Sequence, residues 1–458
     1  MNTHLLTYLN LQRLIGSRCD LHYREFQSLE KADAETSNDW NSAKLESLLR
    51  DAAEKIPFYR GVVARKSPAL SDFPVLTKET IRARYFDLMS PLLRAEYEAN
   101  GGKCPQRYGW LEVKTGGSTG VPLAVIHEKD FRDLDRASRI YQQDLCGFPF
   151  GTPYFRLWGS MADINAMKDS RLHRTMTALA REELLNAFRM EEAQMDLYLD
   201  RIDRSDVRHM MAYTDAAFAL ARHARRRGRE IRPLKSIMAC AGTVTDDIRA
   251  ELREVFGARI HNKYGSRDAG EMAIECERGG LHELSTAIHL EIVDANDRPC
   301  APGVSGRLLV TCLCNFNFPI IRYEIGDVAA WSGRACECGR PQPVLERLEG
   351  RCVEFVTREN GDYVSPIFVI HIVGVVHNPG FIERFQLEQT GASEFVLRVE
   401  TKTPLTDSAR NSWWPALERD LKTVFGAGAR LDLYLTDRIP ESGSGKFLYV
   451  INRLGAFR

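Results

Sequence analysis

The chain carries no excess of either charge: 62 lysine and arginine residues are matched by 62 aspartate and glutamate residues, for a formal net charge of zero. A neutral protein has no overall attraction to polyanions or to anionic lipid, so we expect neither nucleic acid nor a membrane as a partner. The sequence also lacks an apolar run of about 18 residues or more, so no membrane span is expected. Polar side chains interrupt the first residues, which argues against a signal peptide.

The eleven cysteines are scattered through a long chain and are odd in number. This pattern fits a reducing compartment better than a disulfide framework, so a cytoplasmic location is expected. The one basic cluster, residues 222–232, is interpreted as a solvated helix end rather than a binding patch. Internal repeats and low-complexity segments are absent from the sequence. The length of 458 residues is enough for two or three globular domains.

Apolar periodicity indicates a mixed α/β fold. Residues spaced three and four apart predict helices in 43–66 (ending at Pro57), 127–146 and 171–227. Short β-branched runs predict strands at 123–126, 236–239 and 259–261, and mostly strands in 286–331. The sequence therefore predicts a large mixed α/β domain with a β-rich end, over residues 1–350.

The pattern changes after Gly350. A strand, a helix, a hairpin, a second helix and a last strand follow one another. This βαββαβ order predicts a small α+β, ferredoxin-like domain over residues 351–458.

A glycine- and hydroxyl-rich loop spans residues 114–122, with the sequence KTGGSTGVP. Its three glycines let backbone N–H groups face one point, which suits a polyphosphate. It is neither a Walker A loop nor a dinucleotide fingerprint. Taken alone, a flexible surface loop explains it at least as well.

Three further segments carry polar groups of the right chemistry, although each is weak alone. Residues 262–268 offer Tyr264 to stack on a base and Asp268 as an oxygen ligand for Mg²⁺. Residues 321–327 end on Asp327, whose carboxylate suits ribose hydroxyls. Residues 440–446 place Lys446 on a glycine hairpin, where its cation suits a reacting carboxylate and phosphate. Ordinary turns are the alternative in each case.

Four soft or borderline ligands form the complement of a tetrahedral zinc site. They are Cys276, His282, Cys336 and Cys338. The alternative is four unrelated reduced side chains. A second Cys-x-Cys pair, Cys312 and Cys314, lies in a predicted strand and is interpreted as core.

In this order and spacing, the four motifs resemble the adenylate-forming superfamily of acyl-CoA synthetases, peptide-synthetase adenylation domains and luciferases. The phenylacetate–CoA ligase-like branch is the most similar, through residues 57–59 (PFY), 74–78 (PVLTK), 322–327 (RYEIGD) and 348–351 (LEGR). A similar Cys/His pattern appears in that branch. The branch includes capsule-biosynthesis relatives and amide-forming ligases, which the segment FIERFQLEQT resembles more.

The resemblance implies an enzyme that uses ATP to activate a carboxylic acid as its acyl-AMP, releasing pyrophosphate. It implies that Tyr264, beside Gly265, lies against adenine, that Asp268 holds Mg²⁺, and that Lys446 serves adenylation. The ribose would contact Asp327, with Arg351 beside it. The β,γ-phosphates of ATP would be held by Thr115, Gly116, Gly117, Ser118, Thr119 and Gly120.

Two departures bear on the acyl acceptor. The family hinge usually reads Gly-Arg-x-Asp-Asp, whereas here Val353 and Glu354 replace the aspartates. The following loop carries Glu359 and Asp362, whose charges suit the phosphates of CoA poorly. CoA-thioester formation is the leading prediction, and amide formation on an amine is the alternative. A degenerate nucleotide-binding protein is a third, less favoured interpretation, which rests on the altered hinge and on Asp268 replacing the usual glutamate.

Overall fold

A computed structural model describes most of the chain. The described residues are 2–61, 68–106, 109–115, 123–158, 171–187, 192–351, 356–357, 363–364, 369, 372–378, 381–401, 405–439 and 448–454.

The helices begin and end at recognisable signals. Asp33 caps the third helix by accepting a hydrogen bond from the backbone N–H of Thr36, and this helix stops before Pro57, which cannot continue it. The helices are α1 (Thr3–Leu14), α2 (Cys19–Glu30), α3 (Ala34–Lys55), α4 (Pro57–Arg60), α5 (Lys78–Ala83), α6 (Pro91–Ala99), α7 (Lys129–Leu145), α8 (Arg171–Ala180), α9 (Glu192–Arg204), α10 (Thr214–Arg226), α11 (Asp246–Phe256) and α12 (Asp407–Phe425).

The strands fall into a large N-terminal group and a small C-terminal group. The first group is β1 (Leu111–Thr115), β2 (Leu123–His127), β3 (Tyr154–Trp158), β4 (Glu182–Asn186), β5 (His209–Tyr213), β6 (Ser236–Cys240), β7 (Arg259–Ser266), β8 (Gly270–Glu275), β9 (Leu281–Glu283), β10 (Ile288–Val293), β11 (Gly306–Cys312), β12 (Tyr323–Trp331) and β13 (Val344–Arg351). The second is β14 (Val356–Thr357), β15 (Tyr363–Val364), β16 (Ile382–Gly391), β17 (Glu394–Thr401), β18 (Arg430–Thr436) and β19 (Val450–Asn452).

One long sheet organises the large part of the chain. Its described strands run in the order β10-β11-β12-β13-β9-β8-β7-β6-β5-β3-β4. Strands β3 to β7 pair in parallel, whereas β7 to β13 pair antiparallel. The parallel half needs crossover helices and the antiparallel half does not. A mixed α/β unit with a β-rich end, as the sequence predicts, is confirmed.

Helices cover both faces of the parallel half. Ile237 and Ala239 of β6 pack in one buried cluster with apolar residues of α9, α10 and α11. Met238, which alternation turns to the other face, packs in a second cluster with residues of α1, α2 and α7. The carboxyl ends of these strands are the usual place for a ligand in such a sheet.

The prediction of helices throughout residues 171–227 is wrong in part. Strands β4 and β5 lie within that stretch, between α8, α9 and α10. The run His209–Tyr213 is almost wholly buried between two parallel neighbours. A short apolar run of this kind cannot be told from a helix segment by periodicity alone.

The C-terminal part has its own sheet and core. Its described strands run in the order β18-β17-β16-β19, and α12 packs Trp413, Leu417 and Leu421 into the cluster beneath them. The predicted hairpin, second helix and last strand are present, so the small α+β unit is confirmed. Its sheet order refines the ferredoxin-like expectation: β18 pairs in parallel with β17, and β19 adds a strand that the sequence did not predict.

The structure also bears on the basic cluster and on the question of long apolar helices. The basic cluster lies at the end of α10, and its arginines form ion pairs with acidic side chains, among them Arg225 with Glu251 and Arg229 with Asp200. This agrees with a solvated helix end. No helix in the described part of the chain is both long and apolar enough to cross a bilayer.

Candidate active site

Two of the predicted motifs meet through paired tyrosine and aspartate side chains. The Tyr264 hydroxyl donates to Oδ2 of Asp327 at 2.5 Å. The Tyr323 hydroxyl donates to Oδ2 of Asp268 at 2.7 Å. Tyr264 and Asp268 belong to the β7–β8 hairpin, whereas Tyr323 and Asp327 belong to β12. The structure therefore brings together three residues that the sequence singled out and adds Tyr323.

The turn that carries Asp268 is held on several sides. Nε2 of His127, the last residue of β2, lies 3.0 Å from the Asp268 carbonyl oxygen. Because a carbonyl only accepts, that nitrogen carries the proton. Burial lowers the pKa of His127 and so keeps the ring neutral. The Ser266 hydroxyl accepts from the backbone N–H of Ala269 at 3.0 Å. The backbone position of Asp268 is thereby fixed.

Gly265 sits where no other residue fits. A Cβ atom built at this position would lie 2.9 Å from the carbonyl oxygen of Gly270 and 2.9 Å from Oε2 of Glu271. Real Cβ atoms do not approach a carbonyl oxygen so closely. The glycine therefore lets β7 and β8 come together directly after Tyr264.

A buried ion pair supports the same hairpin. Nζ of Lys263 lies 2.9 Å from Oε1 of Glu271, and both side chains are less than a tenth exposed. Nε of Arg139 contacts the same oxygen at 3.2 Å. Burial opposes ionisation of Glu271, but the two cations keep the pKa of its carboxyl below the usual range. Lys263 directly precedes Tyr264, so the ion pair anchors the strand that carries the Tyr264 ring.

The two strands that flank the predicted phosphate loop in the sequence are paired, and the second of them ends beside this turn. Strands β1 and β2 pair antiparallel, with Thr115 opposite Leu123. Residues 116–122 join these paired ends, and Gly116, Gly117, Ser118, Thr119 and Gly120 lie outside the described residues. The hairpin ends at His127, which contacts Asp268. The loop is thus connected to the turn through one short strand.

The remaining residues that were predicted to bind the nucleotide or serve the acceptor step are only partly described by the structure. The backbone of Arg351 pairs with that of Asp327 in the register of β13 and β12, and the role of Arg351 remains a prediction. The hinge residues Val353 and Glu354 lie outside the described part of the chain, as do Glu359, Asp362 and Lys446. Their roles remain predictions.

Two stretches that carry the family resemblance are in contact. The backbone N–H of Leu76, in PVLTK, donates to the carbonyl oxygen of Arg322, in RYEIGD, at 3.0 Å. The N–H of Glu324 donates back to Leu76 at 2.9 Å. These bonds hold the start of β12, and with it Tyr323.

The carboxyl ends of the parallel strands form a row beside the hairpin. The register aligns Tyr213 with Cys240, and Cys240 with Lys263. Trp158, the last residue of β3, packs on Tyr213 with ring centroids 4.2 Å apart. This edge therefore offers aromatic surface next to a charge-paired lysine.

The four predicted zinc ligands lie together. Their ligand atoms fall within 4.8 Å of one another. Sγ of Cys276 and Sγ of Cys336 are 3.6 Å apart, close to the roughly 3.8 Å expected for two thiolates on a tetrahedral zinc ion. Nε2 of His282 lies 3.2 Å from Sγ of Cys338. The donor set and spacing therefore fit zinc.

Surrounding groups orient these ligands. Nδ1 of His282 lies 3.1 Å from the carbonyl oxygen of Gln342, so it carries the proton and leaves Nε2 to face the cluster. Burial opposes ionisation of Cys338, yet hydrogen bonds from Arg340 lower the pKa of its thiol. A Cβ at Gly280 would lie 2.7 Å from Sγ of Cys336. The glycine gives the cluster its room. The other pair, Cys312 and Cys314, is buried as predicted.

Sequence reasoning missed several residues of this site. Tyr323, His127 and Glu271 were not singled out. One signal was present for Tyr323, because a tyrosine four residues before an aspartate occurs in both motifs. Nothing in the sequence pointed to His127 or Glu271, because the Asp268 partner of His127 and the Arg139 partner of Glu271 lie more than a hundred residues away.

The chain is similar in sequence to several known proteins. Residues 356–453 match the family described as CapK C-terminal domain. A phenylacetate–coenzyme A ligase from Thermus thermophilus is 24% identical, over 93% of this chain and 98% of that protein. Protein CapK from Staphylococcus aureus is 20% identical over 59% of this chain; the match spans 58% of that protein, under two thirds of its length.

The fold is that of solved acid-activating ligases. A crystal structure of 2-hydroxyisobutyryl-CoA ligase in its postadenylation state superposes with a TM-score of 0.66 at 19% identity, covering 92% of this chain and 90% of that one. At this identity the likeness shows the fold alone. With the relatives, it confirms the predicted resemblance of the chain to the adenylate-forming superfamily.

Proposed function

We propose that the protein is an AMP-forming ligase that activates a carboxylic acid with ATP, releases pyrophosphate and transfers the acyl group to CoA. The observation that carries this proposal is the meeting of Tyr264, Asp327 and Asp268 from two distant motifs. The full-length similarity to a phenylacetate–coenzyme A ligase supports it.

The residues act by position and charge rather than as a covalent nucleophile. The ring of Tyr264 lies against adenine while its hydroxyl fixes Asp327, which accepts from the ribose hydroxyls. Residues 115–120 cradle the β,γ-phosphates. As the substrate carboxylate attacks the α-phosphorus, Lys446 offsets the charge that develops on the reacting oxygens. No proton needs to be removed from a carboxylate at neutral pH.

Magnesium fits the described residues. Asp268 has one oxygen engaged by Tyr323, which leaves Oδ1 for a cation. Mg²⁺ is usually held by one or two carboxylates together with substrate phosphates and water. When bound, the ion supplies positive charge to the phosphate oxygens. The role of the protein is to hold the Asp268 carboxylate at the right place.

We also propose a structural zinc ion on Cys276, His282, Cys336 and Cys338. These residues join the β8–β9 turn to the segment before β13, and β8 leads directly from the turn that carries Asp268. Four protein ligands complete a tetrahedron and leave no open position for substrate, so the ion is structural. Zinc would stiffen these segments and, through β8, the turn that carries Asp268.

The domain organisation belongs to the same proposal. Residues 1–350 would hold nucleotide and acid, and residues 351–458 would form a small mobile domain that rotates to admit the acceptor. A separate sheet and core within residues 356–454 support this division. A cytoplasmic location suits the zinc ligands, which must remain reduced.

The adenylation step is tested by acid-dependent exchange of labelled pyrophosphate into ATP. We expect one class within a panel of aryl, aliphatic and hydroxy acids to support exchange. If no acid supports exchange while the folded protein still binds ATP, the chain is instead a degenerate nucleotide-binding protein.

The proposed acyl acceptor is CoA, and an amine is the alternative. The altered hinge at Val353 and Glu354 and the acidic loop residues Glu359 and Asp362 favour the amine. The similarity to a coenzyme A ligase along nearly the whole chain favours CoA.

We expect CoA to accelerate AMP release from enzyme, ATP and the cognate acid, with a thioester as product. The comparison uses the same reaction with amino acids or amino sugars in place of CoA. If an amide forms at a rate that CoA does not match, the amine is the true acceptor and the CoA assignment is wrong.

A further inference from the structure

The two tyrosine–aspartate bonds connect strands that are not neighbours in the sheet. Strands β13 and β9 separate β12 from the β7–β8 hairpin in the strand order. The bonds are reciprocal, because each segment supplies one tyrosine and, four residues later, one aspartate. The side chains of the two motifs therefore link two parts of the sheet that are not paired through their backbones.

The two bonds differ in their surroundings. Tyr323 is fully buried and Asp268 is 5% exposed, so little solvent reaches the bond between the phenol and that carboxylate. Tyr264 is only partly buried. A buried carboxylate oxygen that loses its donor has nothing to compensate for it. Loss of the Tyr323–Asp268 bond is therefore expected to disturb the site more than loss of the Tyr264–Asp327 bond.

Tyr323 itself is held in place by a constrained neighbour. Arg322 has a φ of 50°, in the left-handed region that non-glycine residues rarely adopt. Its guanidinium contacts both carboxylate oxygens of Glu291 at 3.2 Å and the Phe73 carbonyl oxygen at 3.0 Å. Backbone strain of this kind persists only where the surroundings over-determine it, and it is common at functional sites.

We infer that Tyr323 is a positioning residue for adenylation. Its phenol engages Oδ2 of Asp268 and leaves Oδ1 as the oxygen that meets the metal–nucleotide complex. Aspartate is one methylene shorter than the glutamate usual in the family, so its reach depends on a fixed turn and a fixed carboxylate. His127 fixes the turn and Tyr323 fixes the carboxylate. This inference rests on the proposed role of Asp268 in the proposed function.

The experiment measures binding of Mn²⁺ with ATP, by electron paramagnetic resonance, and the Mg²⁺ dependence of pyrophosphate exchange. We expect Tyr323→Phe to weaken Mn²⁺ binding and to raise the half-saturating Mg²⁺ concentration by about tenfold, the scale of losing a hydrogen bond to a metal ligand. The KM for the acid should stay within about twofold. A matched control is Tyr23→Phe, which removes a buried phenol that donates to Asp144 at 2.6 Å, outside the four motifs.

A double-mutant cycle separates positioning from a general structural effect. In an Asp268→Ala background, Tyr323→Phe should cause no further loss of Mn²⁺ binding. The double variant removes both partners and leaves no unpaired buried group, so it provides the comparison even if Tyr323→Phe alone does not fold. The inference is overturned if Tyr323→Phe binds Mn²⁺ like the Tyr23→Phe control, or if the double variant binds it more weakly than Asp268→Ala.

Failure of the proposed function has a different signature. If wild-type protein shows no acid-dependent exchange, the adenylation proposal fails, but Mn²⁺ binding with ATP alone still tests Tyr323. If Asp268→Ala leaves Mn²⁺ binding and exchange unchanged, Asp268 is not the metal-facing residue and the inference falls with it.

Discussion

Replacing Lys446 by alanine is expected to lower the rate of acid-dependent pyrophosphate release by about 10²–10³. Removing one positioned charge from a developing phosphoryl-transfer transition state typically has this effect. Lys446 follows the sequence Ser-Gly-Ser-Gly, a composition typical of exposed turns rather than of core elements, so its loss is expected to spare the fold. The assay is pyrophosphate release with the cognate acid, alongside thermal unfolding.

A second lysine of the C-terminal part serves as the control. Lys422 is partly exposed on α12 and pairs with Glu418 on the same helix, and no catalytic role is assigned to it. Lys422→Ala should therefore leave the rate unchanged. An equal rate for Lys446→Ala and wild type would show that this lysine does not serve adenylation.

Protein purified without added metal is expected to contain one zinc ion per chain. Binding to a site that exists only in the folded state contributes directly to folding free energy, by about 10–16 kcal/mol for structural zinc in small peptides. One kcal/mol shifts Tm by about 2–4 °C in domains of 150–250 residues. Cys338→Ser, which removes one thiolate, should therefore lower Tm by several degrees and reduce the bound zinc.

Cys104→Ser is the matched control, because Cys104 is partly exposed and lies outside the cluster. It should retain both zinc and Tm. Elemental analysis that finds less than about a tenth of an equivalent in folded wild-type protein would mean that the four residues are ordinary reduced side chains.

The predictions from sequence were most accurate where neighbouring residues alone determine the structure. The sequence separated Cys312 and Cys314 correctly from the cluster that includes Cys336 and Cys338, since both are buried, although the strand ends at Cys312. The proline after α3 marked the helix end. In each case the deciding signal lies within a few residues.

The sequence predicted least where tertiary contacts decide. Strand β5 is recognisable only once β3 and β6 flank it, since its buried apolar run also suits a helix. The Tyr323–Asp268 bond joins residues 55 positions apart on strands that are not neighbours. The position of β19 depends on pairing with β16, more than 50 residues earlier. Such long-range contacts leave no local pattern in the sequence from which they could be predicted.

Direct detection of the acyl-adenylate tests the central claim. Enzyme, ATP, Mg²⁺ and an acid panel are mixed without any acceptor, quenched and examined by mass spectrometry. The account predicts an acid-plus-AMP mass with one class of acid, formed together with pyrophosphate, and lost in Lys446→Ala. Release of ADP and phosphate instead, or no adenylate with any acid from folded, ATP-binding protein, would contradict it.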